Sequence, residues 1–160
     1  MNTNNLKKFA QEARRKLLEQ VSSKLDYVLY HDSSTLRTKA ETLQRLNDEL
    51  ESIGKQALVD KVAYTWFNRL VALRFMDVKG FQPIGVNVLT PVSGISPQML
   101  DEAHAGHLPD ELAVTKKEVM DILDGRIPSV NPDNDAYRIL LVASCNHLSS
   151  VFPFLFERIN

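Results

Sequence analysis

The residue types that most often do chemistry are few in this sequence, and they do not fall into a known catalytic spacing. The chain has one cysteine, Cys145, and four histidines, and no Cys or His pair has the spacing of a zinc site. His104 and His107 lie three residues apart, but Gly106 between them indicates a helix end, which argues against a metal pair. There is also no phosphate-binding glycine loop and no Gly-x-Ser-x-Gly nucleophile turn. The residues themselves therefore predict no catalytic, cofactor-binding or metal-binding site.

A cluster of basic residues near the N-terminus is the candidate for ligand binding. Within one short stretch the sequence places Lys7, Lys8, Arg14, Arg15 and Lys16. Cations on a helix can contact DNA phosphates, which gives affinity without base specificity. Glu12 and Glu19 interleave with the cluster and weaken its local field, so a solvated or protein-contacting helix face is the alternative. The sequence alone leaves both interpretations open.

Composition and charge limit the class of protein. The chain has 160 residues, a net charge of −1 and 44% hydrophobic residues, which is ordinary for a globular protein. Residues 1–80 carry 14 Lys and Arg against 10 Asp and Glu, whereas residues 81–160 carry 5 against 10. No apolar run approaches the ~18 residues of a membrane span, and the N-terminus has no signal-peptide core. With a single cysteine and no internal disulfide, a cytoplasmic location is expected.

Hydrophobic periodicity predicts the elements that position these residues. Apolar residues at spacings of three and four predict helices at about 5–30, 35–53, 55–78 and 131–149. The segment 81–96 contains two prolines and two glycines, and is predicted to be a loop or a short hairpin. The predicted fold class is all-α, or nearly so: a helical bundle with a less regular C-terminal half.

The helix at 55–78 is apolar nearly all round, which predicts that it is the buried centre of the bundle. Two arginines within it, Arg69 and Arg74, are interpreted as structural, because a buried guanidinium needs hydrogen-bond partners. The predicted core comprises large apolar residues of the helices: Leu6, Phe9, Trp66, Phe67, Leu70, Phe75, Leu140 and Leu141. We expect one domain over 1–160, with residues 1–80 as its basic half and 81–160 as its acidic half.

Three runs of sequence carry a resemblance to a known family. The most distinctive is AYTWFNRLVALRFMDVKGF at 63–81, accompanied by NNLKKFAQEARRKLLEQV at 4–21 and CNHLSSVFPFLFERI at 145–159. Together they resemble the N-terminal region of the adenine-specific DNA methyltransferases of BREX phage-defence systems. The resemblance implies a longer enzyme that methylates the exocyclic amine of adenine with S-adenosylmethionine. It also implies three partners: DNA, other phage-defence subunits and a catalytic domain that lies outside this chain.

The motifs that carry catalysis in that family are not found in this sequence. The family's Asn/Asp-Pro-Pro-aromatic motif holds a flipped adenine, and its nearest match here is the run Asn131–Pro132–Asp133–Asn134. We interpret this run as a helix N-cap. A glycine-containing cofactor turn is also missing, so no catalytic or cofactor-binding residue is carried over. The chain alone is expected to be inactive and without a cofactor, and S-adenosylmethionine is implied only for the full-length enzyme.

The expected function is that of an N-terminal helical domain of a site-specific DNA adenine-N6 methyltransferase. It would serve DNA enclosure, domain packing or subunit contact. Two alternatives stay open. One is a stand-alone helical protein-interaction module, with the apolar residues 152–159 as its partner surface. The other is a small DNA-binding protein that uses the cations of residues 7–16.

Overall fold

The structure is helical wherever it has regular secondary structure. The computed structural model describes residues 3–159, without the side chains of residues 34 and 35. Its helices are α1 (Thr3–Tyr30), α2 (Ser34–Arg37), α3 (Ala40–Ile53), α4 (Lys55–Lys79), α5 (Gln98–His104), α6 (Ala113–Leu123) and α7 (Pro132–Val151), with a 3₁₀ turn at Asp110–Leu112. Residues 3–159 contain no strand, and the predicted all-α class is confirmed. None of these helices combines the length and the apolar character needed to cross a membrane.

The long helices end close to where the sequence predicts. The bounds of α1, α4 and α7 differ from the predicted ones by no more than two residues at either end. The helix predicted at 35–53 is divided instead, because Thr38 and Lys39 form a turn between α2 and α3. Gly54 separates α3 from α4 with a φ of 83°, a backbone conformation that favours glycine.

The chain divides into two compact units, Met1–Asn68 and Arg69–Asn160, which we call the N-terminal unit and the C-terminal unit. The boundary falls inside α4. It does not coincide with the change of charge after residue 80.

The N-terminal unit is built on contacts among α1, α3 and the first half of α4. Its buried centre consists of Leu25, Leu58 and Val59. Partly buried apolar residues pack around this centre: Leu18, Val21, Leu29, Leu46, Leu50 and Val62. An ion pair between Lys55 Nζ and Asp26 Oδ1, 2.6 Å apart, joins α4 to α1. Both side chains are about half exposed, so apolar packing rather than this pair supplies most of the stability.

The N-terminal half of α1 does not contribute to this core. Leu6 is 55% exposed and Phe9 is 62% exposed, so the prediction that they are core residues is wrong. The side of α1 that packs carries Leu18, Val21 and Leu25 at heptad spacing. Leu6 and Phe9 lie on a different side of the helix, because the apolar stripe read from the sequence mixes two faces.

The helix α4 has both buried and exposed apolar residues. Phe75 is 56% exposed, so the prediction that it belongs to the core is wrong. Trp66, Phe67 and Leu70 are partly buried. The exposed large apolar residues of this helix are Tyr64, Val71, Phe75 and Val78. An all-round apolar composition therefore does not produce all-round burial here, because the neighbouring elements cover one face only.

The C-terminal unit has more fully buried apolar side chains than the N-terminal unit. Its largest fully buried apolar side chains come from four helices, the loop after α4 and the C-terminal segment: Leu73, Val88, Met99, Val119, Leu140, Leu148 and Phe156. The predicted burial of Leu140 is confirmed, and Leu141 is partly buried. The long helix α7 packs against α5, α6 and the 3₁₀ turn.

The apolar C-terminal segment is attached to this core. Phe156 is 1% exposed. The Asn146 side chain makes two hydrogen bonds to the backbone of Ile159: Nδ2 donates to its oxygen at 3.1 Å, and Oδ1 accepts from its nitrogen at 2.7 Å. The free partner surface suggested for residues 152–159 is therefore reduced mainly to Phe154 and Leu155, which are 84% and 50% exposed.

Candidate functional site

The five cations of the predicted nucleic-acid site all lie exposed on the N-terminal half of α1, but they occupy three sides of the helix. Lys7 and Arg14 are seven residues apart and share one side, because seven residues make nearly two turns. Lys8 and Arg15 share a second side for the same reason. Lys16 lies on a third side. Closeness in sequence therefore does not make these five residues one surface.

Two of these cations are already paired with carboxylates of the same helix. Arg15 NH1 lies 2.6 Å from Glu19 Oε1, and Lys16 Nζ lies 3.0 Å from Glu12 Oε1. The hydrogen bond from Lys16 holds the pKa of Glu12 below its ordinary value. The other three cations form no ion pair with a residue in the range 3–159: Lys7, Lys8 and Arg14. Their charges remain available to an anion.

A groove lies between α1 and α4 in the N-terminal unit, and we call it the α1–α4 groove. It has a volume of about 250 Å³. Its lining residues are Ala10, Gln11 and Arg14 from α1 and Tyr64, Phe67 and Asn68 from α4. The lining combines one cation, two amides and two aromatic rings, and it contains no carboxylate. Such a surface suits a flat, anionic ligand.

Asp77, near the end of α4, is a buried carboxylate enclosed by the loop that follows. It is 6% exposed. Its Oδ1 accepts from Gln82 Nε2 at 2.6 Å and from Val88 N at 2.9 Å. Its Oδ2 accepts from the backbone nitrogens of Leu89 and Thr90 at 2.8 and 2.9 Å, and from Thr90 Oγ1 at 2.9 Å. Five donors offset the cost of burying this charge, so Asp77 anchors the loop rather than reacting with a substrate.

Arg69 and Arg74 both have structural partners, as the sequence predicts. Arg69 NH2 donates to the carbonyl oxygen of Glu157 at 2.8 Å. Arg74 NH1 donates to Thr90 Oγ1, the hydroxyl that itself donates to Asp77. Arg74 is therefore connected to Asp77 through the hydroxyl of Thr90. The sequence gives only a weak signal for the anchoring role of Asp77. That signal is the presence of a carboxylate in an otherwise apolar helical turn.

The histidines of the C-terminal unit and the cysteine do not form a reactive group. His104 Nε2 lies 2.9 Å from Asp133 Oδ1, and His107 Nδ1 lies 3.8 Å from Glu102 Oε2. Among the residues that the structure describes, no three His, Cys, Asp or Glu side chains converge as metal ligands. Burial raises the pKa of the Cys145 thiol to about 11, so the thiol is protonated at neutral pH and is a poor nucleophile.

The segment nearest to a methyltransferase catalytic motif begins a helix. Asn131 is the N-cap of α7, and its Oδ1 accepts from Asn134 N at 3.1 Å. Pro132 occupies the first helical position, where its missing N–H has no cost. The N-cap interpretation of this segment is confirmed.

Two curated proteins are similar to the chain along nearly all of its length. The adenine-specific methyltransferase BrxX of Escherichia coli O9:H4 (strain HS) is 30% identical in a gapped alignment of 187 positions that covers 100% of the chain. The adenine-specific methyltransferase PglX of Lacticaseibacillus casei (strain Zhang) is 30% identical in a gapped alignment of 185 positions that covers 96% of it. The chain spans about 15% of the length of each of these relatives. No family model matches the chain, and no solved structure matches it.

Proposed function

We propose that the chain is the N-terminal helical packing domain of a longer, DNA-modifying enzyme of the BREX type, because two adenine-specific methyltransferases match it along nearly all of its length. That enzyme would methylate adenine in DNA with S-adenosylmethionine, in the cytoplasm and as part of phage defence. The cofactor site and the transfer site would lie in the rest of the enzyme. The contribution of this chain would be to hold other parts of the enzyme in place.

The observation that carries this proposal is an exposed apolar surface on α4, which we call the α4 apolar face. It consists of Val71, Phe75, Val78 and the following Phe81, which are 49%, 56%, 62% and 62% exposed. The three helical residues are three or four positions apart and share one side of α4. The rings of Phe75 and Phe81 meet edge to face with their centroids 6.2 Å apart. Contiguous exposed apolar surface of this kind typically marks an interface.

Other parts of the longer enzyme suit this face better than a separate protein does. The chain spans only about 15% of each relative, so most of each relative lies outside the matched region. Packing within one polypeptide also avoids much of the entropy that two free proteins lose on association. All four residues of the α4 apolar face lie in the run 63–81, where the family resemblance is most specific.

The proposal can be tested with a double variant of the full-length enzyme, Phe75→Gln and Val78→Gln. Both residues are exposed in this chain, so the melting temperature of the isolated chain should change little. In the full-length enzyme each glutamine would place an amide in an apolar contact, at a cost of about 1–3 kcal/mol for each unsatisfied group. We expect a lower yield of soluble enzyme and a lower fraction of methylated adenine.

The matched control is the double variant Val114→Gln and Val130→Gln. These valines are 97% and 106% exposed, and they lie outside the α4 apolar face. The control should leave both the isolated chain and the full-length enzyme unchanged. If the Phe75 and Val78 variant methylates DNA as well as the control does, the α4 apolar face is not a packing surface.

A second role, contact with DNA phosphates, is favoured by the unpaired cations of α1. The test is the affinity of the 160-residue chain for DNA as a function of salt. Each phosphate contact with a duplex contributes about 0.9 to the slope of log K against log salt concentration. Changing all five cations to glutamine should remove this slope: Lys7, Lys8, Arg14, Arg15 and Lys16. A parent chain without salt-dependent affinity would exclude this role and leave the packing role untouched.

A further inference from the structure

One side of α1 changes its chemical character along the helix. The side that carries Leu18 faces the core of the N-terminal unit. Counting back from Leu18 at heptad spacing, the same side carries Arg14, Gln11 and Lys7. The side that is apolar and packed in the second half of α1 is therefore polar and cationic in the first half. Here the helix no longer contacts its own core, and its cations can contact solvent or an anionic ligand.

The opposite wall of this polar stretch comes from α4. Tyr64, Phe67 and Asn68 face Gln11 and Arg14 across the α1–α4 groove. Tyr64 is 66% exposed, so its ring is accessible from solvent. Among the described residues, the side-chain amides of Gln11 and Asn68 have no hydrogen-bond partner. Each amide has both a donor and an acceptor left for a ligand.

We propose that the α1–α4 groove binds single-stranded DNA, with one phosphate held by Arg14 in the groove, a neighbouring phosphate held by Lys7 on the same side of α1, and a base stacked on Tyr64. This inference deepens the DNA-contact role proposed above and rests on it. Guanidinium and ammonium groups form strong charge-assisted hydrogen bonds with phosphate oxygens. Aromatic rings stack on bases of any sequence, and the two amides can bond to base edges. The lining contains no carboxylate that would repel a phosphate.

A single strand suits this groove better than a duplex. The volume of about 250 Å³ leaves room for roughly one nucleobase. In a duplex the faces of the bases are stacked on one another, so they cannot reach the ring of Tyr64. A duplex would contact the cations alone, and the aromatic residues would then make no contribution to its affinity.

The test uses two double variants of the 160-residue chain, each of which removes two positive charges from α1. Lys7→Gln with Arg14→Gln removes the cations on the groove side. Arg15→Gln with Lys16→Gln removes cations that are already paired with carboxylates. Affinity is measured by fluorescence anisotropy with a labelled oligothymidylate of about 12 nucleotides at about 50 mM salt. We expect a loss of about tenfold or more from the first variant, and of no more than about twofold from the second.

Variants of Tyr64 test the stacking contact. Tyr64→Ala should weaken binding of the oligothymidylate by about tenfold, the typical effect of losing one base-stacking ring. Tyr64→Phe keeps the ring, so its affinity should stay within about twofold of the parent. Because Tyr64 is exposed, both variants are expected to fold, which circular dichroism and thermal melting verify.

Each contrary result has its own meaning. Equal losses from the two double variants would overturn the groove assignment but leave a general contact with DNA in place. Tighter binding to a duplex of the same length would overturn the single-strand assignment, as would an unchanged affinity of Tyr64→Ala. If the parent chain binds neither DNA, the groove and the DNA-contact role both fail. The packing role of the α4 apolar face would be unaffected by any of these outcomes.

Discussion

The two units differ in how their helices are held together. In the N-terminal unit the described side chains that are buried are few: Leu25, Leu58, Val59 and Ala63. The C-terminal unit draws its core from four helices and the segments between and after them, and the buried Asp77 anchors one of its loops with five hydrogen-bond donors. The C-terminal unit therefore has a large buried interior as well as the exposed α4 apolar face, whereas the N-terminal unit buries few of its side chains.

Substitution of Asp77 should give the largest loss of stability, and it tests the contrast between the two units most directly. Asp77→Ala leaves three backbone N–H groups and two side-chain donors without their acceptor. We expect the free energy of unfolding to fall by about 3–5 kcal/mol, as for the loss of one partner of a buried charged network. Urea denaturation followed by circular dichroism measures it.

The control is Asp60→Ala, the same substitution in the N-terminal part of the same helix. Asp60 is not buried, so its loss should cost less than about 0.5 kcal/mol. Equal effects of the two variants would contradict the special role of the Asp77 carboxylate.

Matched leucine truncations compare the two cores. Leu140 is 0% exposed in the C-terminal unit, and Leu25 is 7% exposed in the N-terminal unit. Leu140→Ala should cost about 3–4 kcal/mol and Leu25→Ala about 2 kcal/mol, because a cavity at a fully enclosed site is harder to fill by relaxation. Urea titrations of both variants at one pH give the two values. A larger loss for Leu25→Ala would reverse the comparison.

Trp66 provides a second test of how weakly the N-terminal unit buries its side chains. Its side chain lines an apolar groove with Val21, Leu25, Val59 and other residues, and it is only partly buried. We expect Trp66→Ala to cost about 2 kcal/mol, less than the ~3–5 kcal/mol of a fully buried tryptophan. Trp66→Phe keeps most of the apolar contact and should cost less than half as much. Complete unfolding of Trp66→Ala would contradict this estimate and show that the N-terminal unit has a smaller free energy of unfolding than expected.

The smallest expected effect is a pH dependence in the C-terminal unit. The hydrogen bonds from Lys117 Nζ at 2.7 Å and Arg126 NH1 at 2.8 Å hold the pKa of Asp121 below its ordinary value. A carboxylate whose folded pKa is depressed stabilises the fold above its unfolded pKa of about 3.9, and this stability is lost as the pH falls through the folded pKa. Asp121→Asn should remove this acid-dependent part of the stability, which urea midpoints at neutral and acidic pH measure. If the stability of Asp121→Asn depends on pH as that of the parent does, the hydrogen bonds from Lys117 and Arg126 do not contribute to the stability.

The helices could be predicted from the sequence because their signals are local. Asn131 with Pro132 begins α7, and Gly54 and Gly80 stand at helix ends with φ values of 83° and 67°. These signals depend on the backbone conformation of a few neighbouring residues. No distant part of the chain is needed to interpret them.

The buried faces and the groove could not be predicted in the same way. The apolar residues of α1 form two overlapping stripes, and contact with α3 and α4 decides which stripe is buried. The donors around Asp77 are mostly backbone N–H groups, which every residue except proline carries, so no residue pattern indicates them. The α1–α4 groove joins Arg14 to Tyr64 across fifty residues of sequence, and periodicity carries no information about such pairs.

The two sets of contacts that secure the C-terminal unit should form at different times during folding. The hydrogen bonds to Asp77 join residues 5 to 13 positions apart, so they can form as soon as α4 and its loop are present. The bond from Arg69 to Glu157 joins residues 88 positions apart. Closing that longer loop costs roughly 1.7–2.5 kcal/mol more in chain entropy. The anchored loop therefore belongs to the early folding events, and attachment of the C-terminal segment belongs to the late ones.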